Sequence, residues 1–486
     1  MWLVVYHIGI LCGLPDVAVK EAKERVRTAI KNSGMEFPSR KITVNLAPAN
    51  TKKEGSAFDL PLAIGILMAT EKLSGVNLDR TVFIGELSLD GSLNQINGVL
   101  PMCIEALKLG MKRVILPKNN AKEAGIVKGI EIIGVSNLEQ TIKYLKREIK
   151  IKPENIDIDE IFANNQEYNL DFSEVKGQEN VKRALEIAAA GGHNCILIGS
   201  PGSGKTMLAR RLPSILPELS FEEALEITKI HSVAGILNEQ ALVTNRPFRS
   251  PHHTVSGIAL VGGGRIPKPG EISLAHSGVL FLDELPEFSR NTLEVMRTPL
   301  EDRIVTINRV NSSLTYPCNF MLIASMNPCA CGYYGSTDKQ CTCTPQAISK
   351  YMSKISGPLL DRIDIHIEVA PVKYSKLQED KPGETSAKIK ERVNIARKIQ
   401  RERYKEHNLY SNAELTPKLM EKYCKLDEMG QKILQNAFEK LGLSARVYGR
   451  ILKVARTIAD LEQEKNIKTN HIAEAIQYRS LDRKYF

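Results

Sequence analysis

Residues 199–206 read Gly-Ser-Pro-Gly-Ser-Gly-Lys-Thr, directly after the apolar run Cys195–Ile198. A G-x-x-x-x-G-K-T loop between a strand and a helix has the chemistry of phosphate binding. Gly199, Gly202 and Gly204, with Ser200, Pro201 and Ser203 between them, let backbone N–H groups wrap a phosphate chain. The helix that follows adds its positive dipole end. Lys205 is expected to reach the β- and γ-phosphates and Thr206 to ligate Mg²⁺. About 80 residues on, the run Gly278-Val-Leu-Phe-Leu ends in Asp283-Glu284. Asp283 at the end of a buried strand would hold Mg²⁺ through water, and Glu284 would polarise an attacking water. A third apolar run, from Phe320, ends at Asn327, an amide that can orient that water. Taken singly, the acids read equally as helix caps and Asn327-Pro328 as a turn. Their order behind the phosphate loop favours ATP and Mg²⁺ as cofactors and ATP hydrolysis as the reaction.

The chain has nine cysteines, and four of them fall in one window as Cys329-Ala-Cys331 and Cys341-Thr-Cys343. Four thiolates on two short turns can close around a tetrahedral Zn²⁺. The window also holds Gly332, Gly335 and Thr337 and has no apolar core of its own, a lack that zinc would make good. No histidine or acid stands ready for a catalytic zinc, so a structural ion is expected. The alternative is four free thiols. Thiols concentrated in this way fit a metal site in a reducing compartment rather than a disulfide scaffold, so a cytoplasmic location is expected.

These residues need a frame to hold them. From Phe172 to about Val372 the pattern strand, glycine-rich loop, helix recurs, which implies a parallel α/β sheet. The core is therefore placed at 172–372, with the cysteine window 329–343 inserted in it. Residues 1–150 form an earlier domain, with strand patterns at 81–87 and 113–117 and helix patterns at 18–31 and 60–69. Residues 151–171 are polar and acidic and read as a linker. The remainder, 373–486, has helical periodicity over 385–406, 417–441, 444–463 and 469–478 and reads as a helical lid domain.

Of the 486 residues, 43% are hydrophobic and 25% charged, ordinary for a soluble globular chain. No apolar run approaches the ~18 residues that would cross a bilayer, so no membrane partner is expected. Residues 3–12 are apolar but lack the basic flank and cleavage site of a secretory signal. The net charge is +10, and from Lys373 onward 25 Lys and Arg face 16 Asp and Glu, 25 − 16 = 9. A surplus gathered in one quarter of the chain favours a polyanion such as DNA; the alternative is a solvated helical surface.

Three long motifs carry a family resemblance: Pro269-Gly-Glu-Ile-Ser-Leu-Ala-His-Ser-Gly-Val-Leu-Phe-Leu-Asp-Glu, Ala324-Ser-Met-Asn-Pro-Cys and Gly357-Pro-Leu-Leu-Asp-Arg-Ile-Asp. The chain resembles the magnesium-chelatase-like AAA+ ATPases, and among them the bacterial ComM/YifB family. The resemblance implies a homo-oligomeric ring, a hexamer, with ATP bound between subunits. It also implies helicase or branch-migration work on single-stranded or branched DNA during transformation and recombination. Arg362 is similar to the family's arginine finger, which acts on the neighbour's γ-phosphate. Arg446, in Leu443-Ser-Ala-Arg-Val-Tyr-Gly-Arg, is similar to the sensor arginine of the lid. The stretch 246–257, Arg-Pro-Phe-Arg-Ser-Pro-His-His-Thr-Val-Ser-Gly, resembles the insert within the second helix. Residues 303–316 read as a β-hairpin with Arg309 near its tip; in related ring helicases such hairpins touch DNA, and the alternative is an ordinary surface hairpin. Two rivals remain: a chelatase-type motor working through a partner subunit, and a protein-remodelling adaptor.

Residues 1–150 resemble the proteolytic domain of Lon, an α+β fold, through Lys53-Glu-Gly-Ser-Ala-Phe-Asp-Leu-Pro, Gly85-Glu-Leu-Ser-Leu-Asp-Gly and Asn97-Gly-Val-Leu-Pro. The glycine-flanked pattern around the nucleophilic serine is lost at Ser56, and Leu100 or Pro101 stands where Lon carries its catalytic lysine. A serine hydroxyl must lose its proton to attack, and no base in the motif takes it. The domain is expected to be non-proteolytic, with Ser56 a cap or a buried hydroxyl. Ile10-Leu-Cys-Gly-Leu-Pro matches an interior strand and turn, so the first strands of that fold are expected to be shortened or absent.

Overall fold

The computed structural model describes residues 8–12, 14–39, 42–48, 53, 55–163, 170–238, 240–264, 267–309, 312–336, 339–372, 383–407, 409–441 and 445–479. The chain divides into two compact units, residues 1–165 with 224–244, and residues 166–223 with 245–486. Among the described residues no helix is long and apolar enough to cross a membrane.

The first unit is mixed α/β. A parallel three-stranded sheet runs Thr81–Phe83, Arg113–Pro117, Glu131–Val135, with Phe83 opposite Ile115 and Ile115 opposite Ile133. A second parallel pair joins Ile8–Cys12 to Ile42–Asn45. The strand expected over 81–87 is broken in two. Gly85 leaves the ladder to donate to the Ala57 carbonyl and to accept from the Leu60 amide, which ties it to the start of helix Asp59–Ala69. Glu86–Leu87 then pairs with Leu93–Asn94 as a short hairpin. Asp59 is buried and accepts from Arg25 Nε at 2.7 Å and from the Leu87 amide at 3.2 Å, so the helix start and the hairpin share one carboxylate. The cap expected at Ser56 falls at Phe58. Ser56 is partly buried, and its hydroxyl donates to Glu86. Residues 224–244 pack in this unit: the Ser232 hydroxyl donates to buried Glu123 at 2.6 Å, and the Gly98 amide donates to the Ser232 carbonyl.

The second unit is built on a five-stranded parallel sheet, as the strand–loop–helix repeat predicts. Its order is Ile365–Glu368, Cys195–Ile198, Met321–Met326, Val279–Leu282, Phe248–Arg249. The three central strands are buried along their whole length, which is why they read as unbroken apolar runs. Period-two alternation splits their side chains between two cores. Leu197, Phe281 and Ile323 face a layer that includes Leu185, Val393 and Ile458 from helices Glu179–Gly191, Ser386–Arg403 and Ala445–Leu461. Ile196, Leu280 and Leu322 face Leu260, Ile272 and Leu359. The C-terminal helices therefore share a core with the sheet. The helix expected over 417–441 is two, Pro417–Tyr423 and Glu428–Leu441. Between them the Asp427 carboxylate accepts from the Gly430 amide at 2.7 Å and starts the second helix as its cap. The hairpin expected over 303–316 forms as Ile304–Arg309 paired antiparallel with Ser312–Pro317.

Candidate nucleotide site

All five strands are parallel, so their carboxyl ends lie along one edge, where open α/β sheets place their ligands. Residues 199–204 leave the carboxyl end of Cys195–Ile198, Asp283 and Glu284 follow Val279–Leu282, and Asn327 follows Met321–Met326. Residues far apart in sequence therefore meet at one edge. Gly204 sits at φ +91°, a conformation that glycine tolerates, and passes the chain into helix Lys205–Arg211.

Lys205 is nearly buried, and its ammonium donates to the carbonyls of Gly199 at 2.8 Å and Ser200 at 2.9 Å and to Asn327 Oδ1 at 3.2 Å. Burial pushes its pKa below the usual lysine value, and the carboxylates of Asp283 and Glu284 oppose that shift. The Thr206 hydroxyl donates to Asp283 Oδ2 at 2.8 Å. A hydroxyl and a carboxylate oxygen converging this closely form a hard-oxygen donor pair that suits Mg²⁺. Glu284 has φ +56° and ψ +50°, left-handed for a residue with a side chain, a strain of roughly 1–2 kcal/mol that clusters at functional sites.

Three contributors were not legible in the sequence. Ser325 is fully buried; its hydroxyl donates to Asp283 Oδ1 and accepts from the Glu284 amide at 3.2 Å. His253 brings Nδ1 to 3.8 Å from Glu284 Oε2, with its ring against His252 and edge-on to Phe288. The Gln178 side-chain amide donates to the Ser203 carbonyl at 2.8 Å and to the Ala370 carbonyl at 3.2 Å, and so holds the crest of the loop.

Arg362 is not among this group. It precedes strand Ile365–Glu368 and so lies at the amino edge of the sheet, opposite Lys205. Crossing four strand residues takes roughly 13 Å, so Arg362 does not meet the phosphate loop of its own chain. It is buried, its guanidinium pairs with Glu301, and its carbonyl accepts from Asn194 Nδ2 at 2.8 Å. Arg446 lies in helix Ala445–Leu461, and its side chain is outside the described residues. One turn on, Arg450 ion-pairs with buried Asp364, two residues from Arg362. Arg309 occupies the last rung of its hairpin, opposite Ser312; its side chain and residues 310 and 311 are outside the described set.

The four cysteines do converge. Sγ of Cys329 lies 3.3 Å from that of Cys331 and 3.7 Å from that of Cys341, and the Cys331 and Cys341 sulfurs are 3.6 Å apart. All four sulfurs fall within 4.8 Å of one another. A tetrahedron with Zn–S bonds of about 2.3 Å has edges of about 3.8 Å, so the donor set fits zinc in kind and in size. Backbone N–H groups of Thr342 and then Tyr333 draw the Cys331 thiol below its usual value, while the neighbouring sulfurs push Cys341 and Cys343 up.

Sequence comparison adds to this geometry. Three patterns described as magnesium chelatase subunit ChlI match residues 7–120, residues 171–377 and, for its C-terminal part, residues 383–479. The chain is 45% identical over 477 residues to the uncharacterized protein YifB of Escherichia coli, covering 97% of this chain and 92% of that protein. It is 45% identical over 478 residues to the competence protein ComM of Haemophilus influenzae, with the same coverage. Identity to the magnesium-chelatase subunit ChlI of Euglena gracilis is 23% over 275 residues, covering 51% of this chain and 75% of that protein.

Proposed function

The chain belongs to the ComM/YifB family of magnesium-chelatase-like AAA+ proteins, and from that premise we propose that it is an ATP-driven ring motor that remodels DNA. The observation that carries the ATPase reading is the convergence of Lys205, Thr206, Asp283, Glu284 and Asn327 on one sheet edge. The loop amides and Lys205 take the β- and γ-phosphates. Thr206 and, through water, Asp283 hold Mg²⁺, which neutralises phosphate charge when bound. Glu284 accepts the proton of the attacking water, and Asn327 orients that water. Ser325 fixes Asp283 and the Glu284 backbone. Arg362, at the opposite edge, serves the phosphates of a neighbouring subunit, which makes the ring part of the active site. Cys329, Cys331, Cys341 and Cys343 hold one structural Zn²⁺. Ser56, whose hydroxyl donates to Glu86, is read as taking no proteolytic step because Leu100 or Pro101 stands where Lon carries its lysine.

DNA as the substrate rests on the likeness to the competence protein, the surplus of 9 positive charges after Lys373 and the hairpin that ends at Arg309. The test is the rate of ATP hydrolysis with added single-stranded and forked DNA. Stimulation that weakens as salt rises, with little sequence preference, is the expected result, because phosphate contacts release counterions. Arg309→Ala should reduce stimulation and spare the basal rate. The ChlI matches favour a second reading, a chelatase-type motor acting on a protein partner. A rate flat to every DNA, together with stimulation by a protein partner, would select the chelatase-type or protein-remodelling reading.

A further inference from the structure

The cysteine centre is built into the nucleotide site. Cys329 comes two residues after Asn327, whose side chain accepts from Lys205, and Cys329 is fully buried. The chain then turns back, with the Gly332 amide donating to the Cys329 carbonyl at 3.0 Å. At Gly332, φ is +86°, and a Cβ placed there would stand 2.5 Å from Cδ of Pro201 and 3.9 Å from Cγ of Asn327. The turn between the first and second pairs of thiols thus rests directly on the crest of the phosphate loop. Beyond it, among the described residues, no helix or strand forms until Pro345–Met352, so the described residues of 329–343 contribute no ladder to this contact. The four sulfurs that converge within 4.8 Å of one another flank this turn.

We propose that Zn²⁺ bound by Cys329, Cys331, Cys341 and Cys343 clamps the nucleotide site, fixing Asn327 against Lys205 and seating Gly332 on Pro201, so that zinc loading sets the rate of ATP turnover. The inference rests on the nucleotide-site reading above. It makes the four cysteines positioning residues, acting on turnover through Asn327 and only weakly on nucleotide affinity through the contact with Pro201. Zinc loss frees the turn that directly follows Asn327, while Lys205 and Thr206 stay on helix Lys205–Arg211 and Asp283 and Glu284 at the end of Val279–Leu282. Turnover therefore suffers more than binding.

The experiment uses the full chain, purified without chelator. Zinc is measured by elemental analysis, affinity by titration with a fluorescent ATP analogue, and kcat and KM by steady-state turnover. The three are followed in loaded protein, after zinc removal by a thiol-directed reagent with a chelator, and after zinc return. We expect about one zinc per chain. Removal should lower kcat at least about tenfold, change affinity by less than about threefold, and be reversed by zinc. Gly332→Ala keeps all four ligands, so its zinc content should match wild type while its Cβ displaces Pro201 and weakens ATP binding at least about fivefold. Protein without zinc, or zinc-free protein that turns over at the loaded rate, overturns the clamp while leaving the nucleotide site standing. Loaded wild type that binds no ATP overturns the nucleotide site itself, and the clamp with it.

Discussion

Ser325→Ala separates the proposed ATPase geometry from the bare motif, because no motif assigns Ser325 a role. Its hydroxyl donates to Asp283 Oδ1 and accepts from the Glu284 amide, and the residue is fully buried. A hydrogen bond to a charged group is worth about 1.5–3 kcal/mol. Alanine removes that bond and leaves the amide of the strained Glu284 with one side-chain acceptor, Asp283 Oδ1 at 3.1 Å. If the lost energy falls on the placement of the two acids in the transition state, kcat drops by roughly 10- to 150-fold. Lys205, the loop amides and Thr206 are untouched, so affinity for ATP should change little. The assay is steady-state hydrolysis over a range of ATP and Mg²⁺, with a fluorescent nucleotide titration beside it. A denaturation midpoint guards against global unfolding. A folded variant with wild-type kcat, or one whose only change is a higher KM, refutes the role given to Ser325.

Three further outcomes follow from the same geometry. Mixing Arg362→Ala with Lys205→Ala chains should recover turnover that neither has alone, since one interface in the mixture keeps both groups; no recovery in an assembled mixture removes the trans role. Burial raises the Asp364 pKa, but the nearby Arg450 and the hydrogen bond from His193 outweigh it and hold the carboxyl well below the usual carboxylate range. A depressed folded pKa gives stability that is present above the unfolded value of about 3.9 and fades as pH falls through the folded one. Asp364→Asn, which leaves Arg450 unpaired, should therefore cost about 3–5 kcal/mol at pH 7 by urea unfolding, a gap that narrows below about pH 4; equal midpoints at pH 7 would deny the pair its role. His253→Ala should change kcat more than KM if the ring steers the Glu284 carboxylate; a pure KM effect would place His253 elsewhere.

The phosphate loop was legible because its chemistry is contiguous: glycines, lysine and threonine act from adjacent positions. Asp283, Glu284 and Asn327 were legible because each ends a buried apolar run. Ser325 was not, since its contact with Asp283 depends on Met321–Met326 lying beside Val279–Leu282, and strand order is not written in local pattern. His253 and Gln178 reach the site from loops about 30 residues from their partners or at the far end of a helix–strand unit, with no spacing to betray them. The parallel sheet of the second unit followed from its repeat. The packing of residues 224–244 with the first unit did not, because it is decided by Ser232 meeting Glu123, a pairing 109 residues apart in the chain. The break after Tyr423 was missed because Asp427, read as one more polar helical residue, caps a new helix.

Glu284→Gln tests the central claim most directly. The amide keeps the size of the side chain and its left-handed backbone but cannot accept a proton from water. Binding of Mg·ATP should stay near wild type, measured by titration, while single-turnover hydrolysis slows at least about 100-fold. Hydrolysis at close to the wild-type rate in a variant that binds ATP normally would contradict the account.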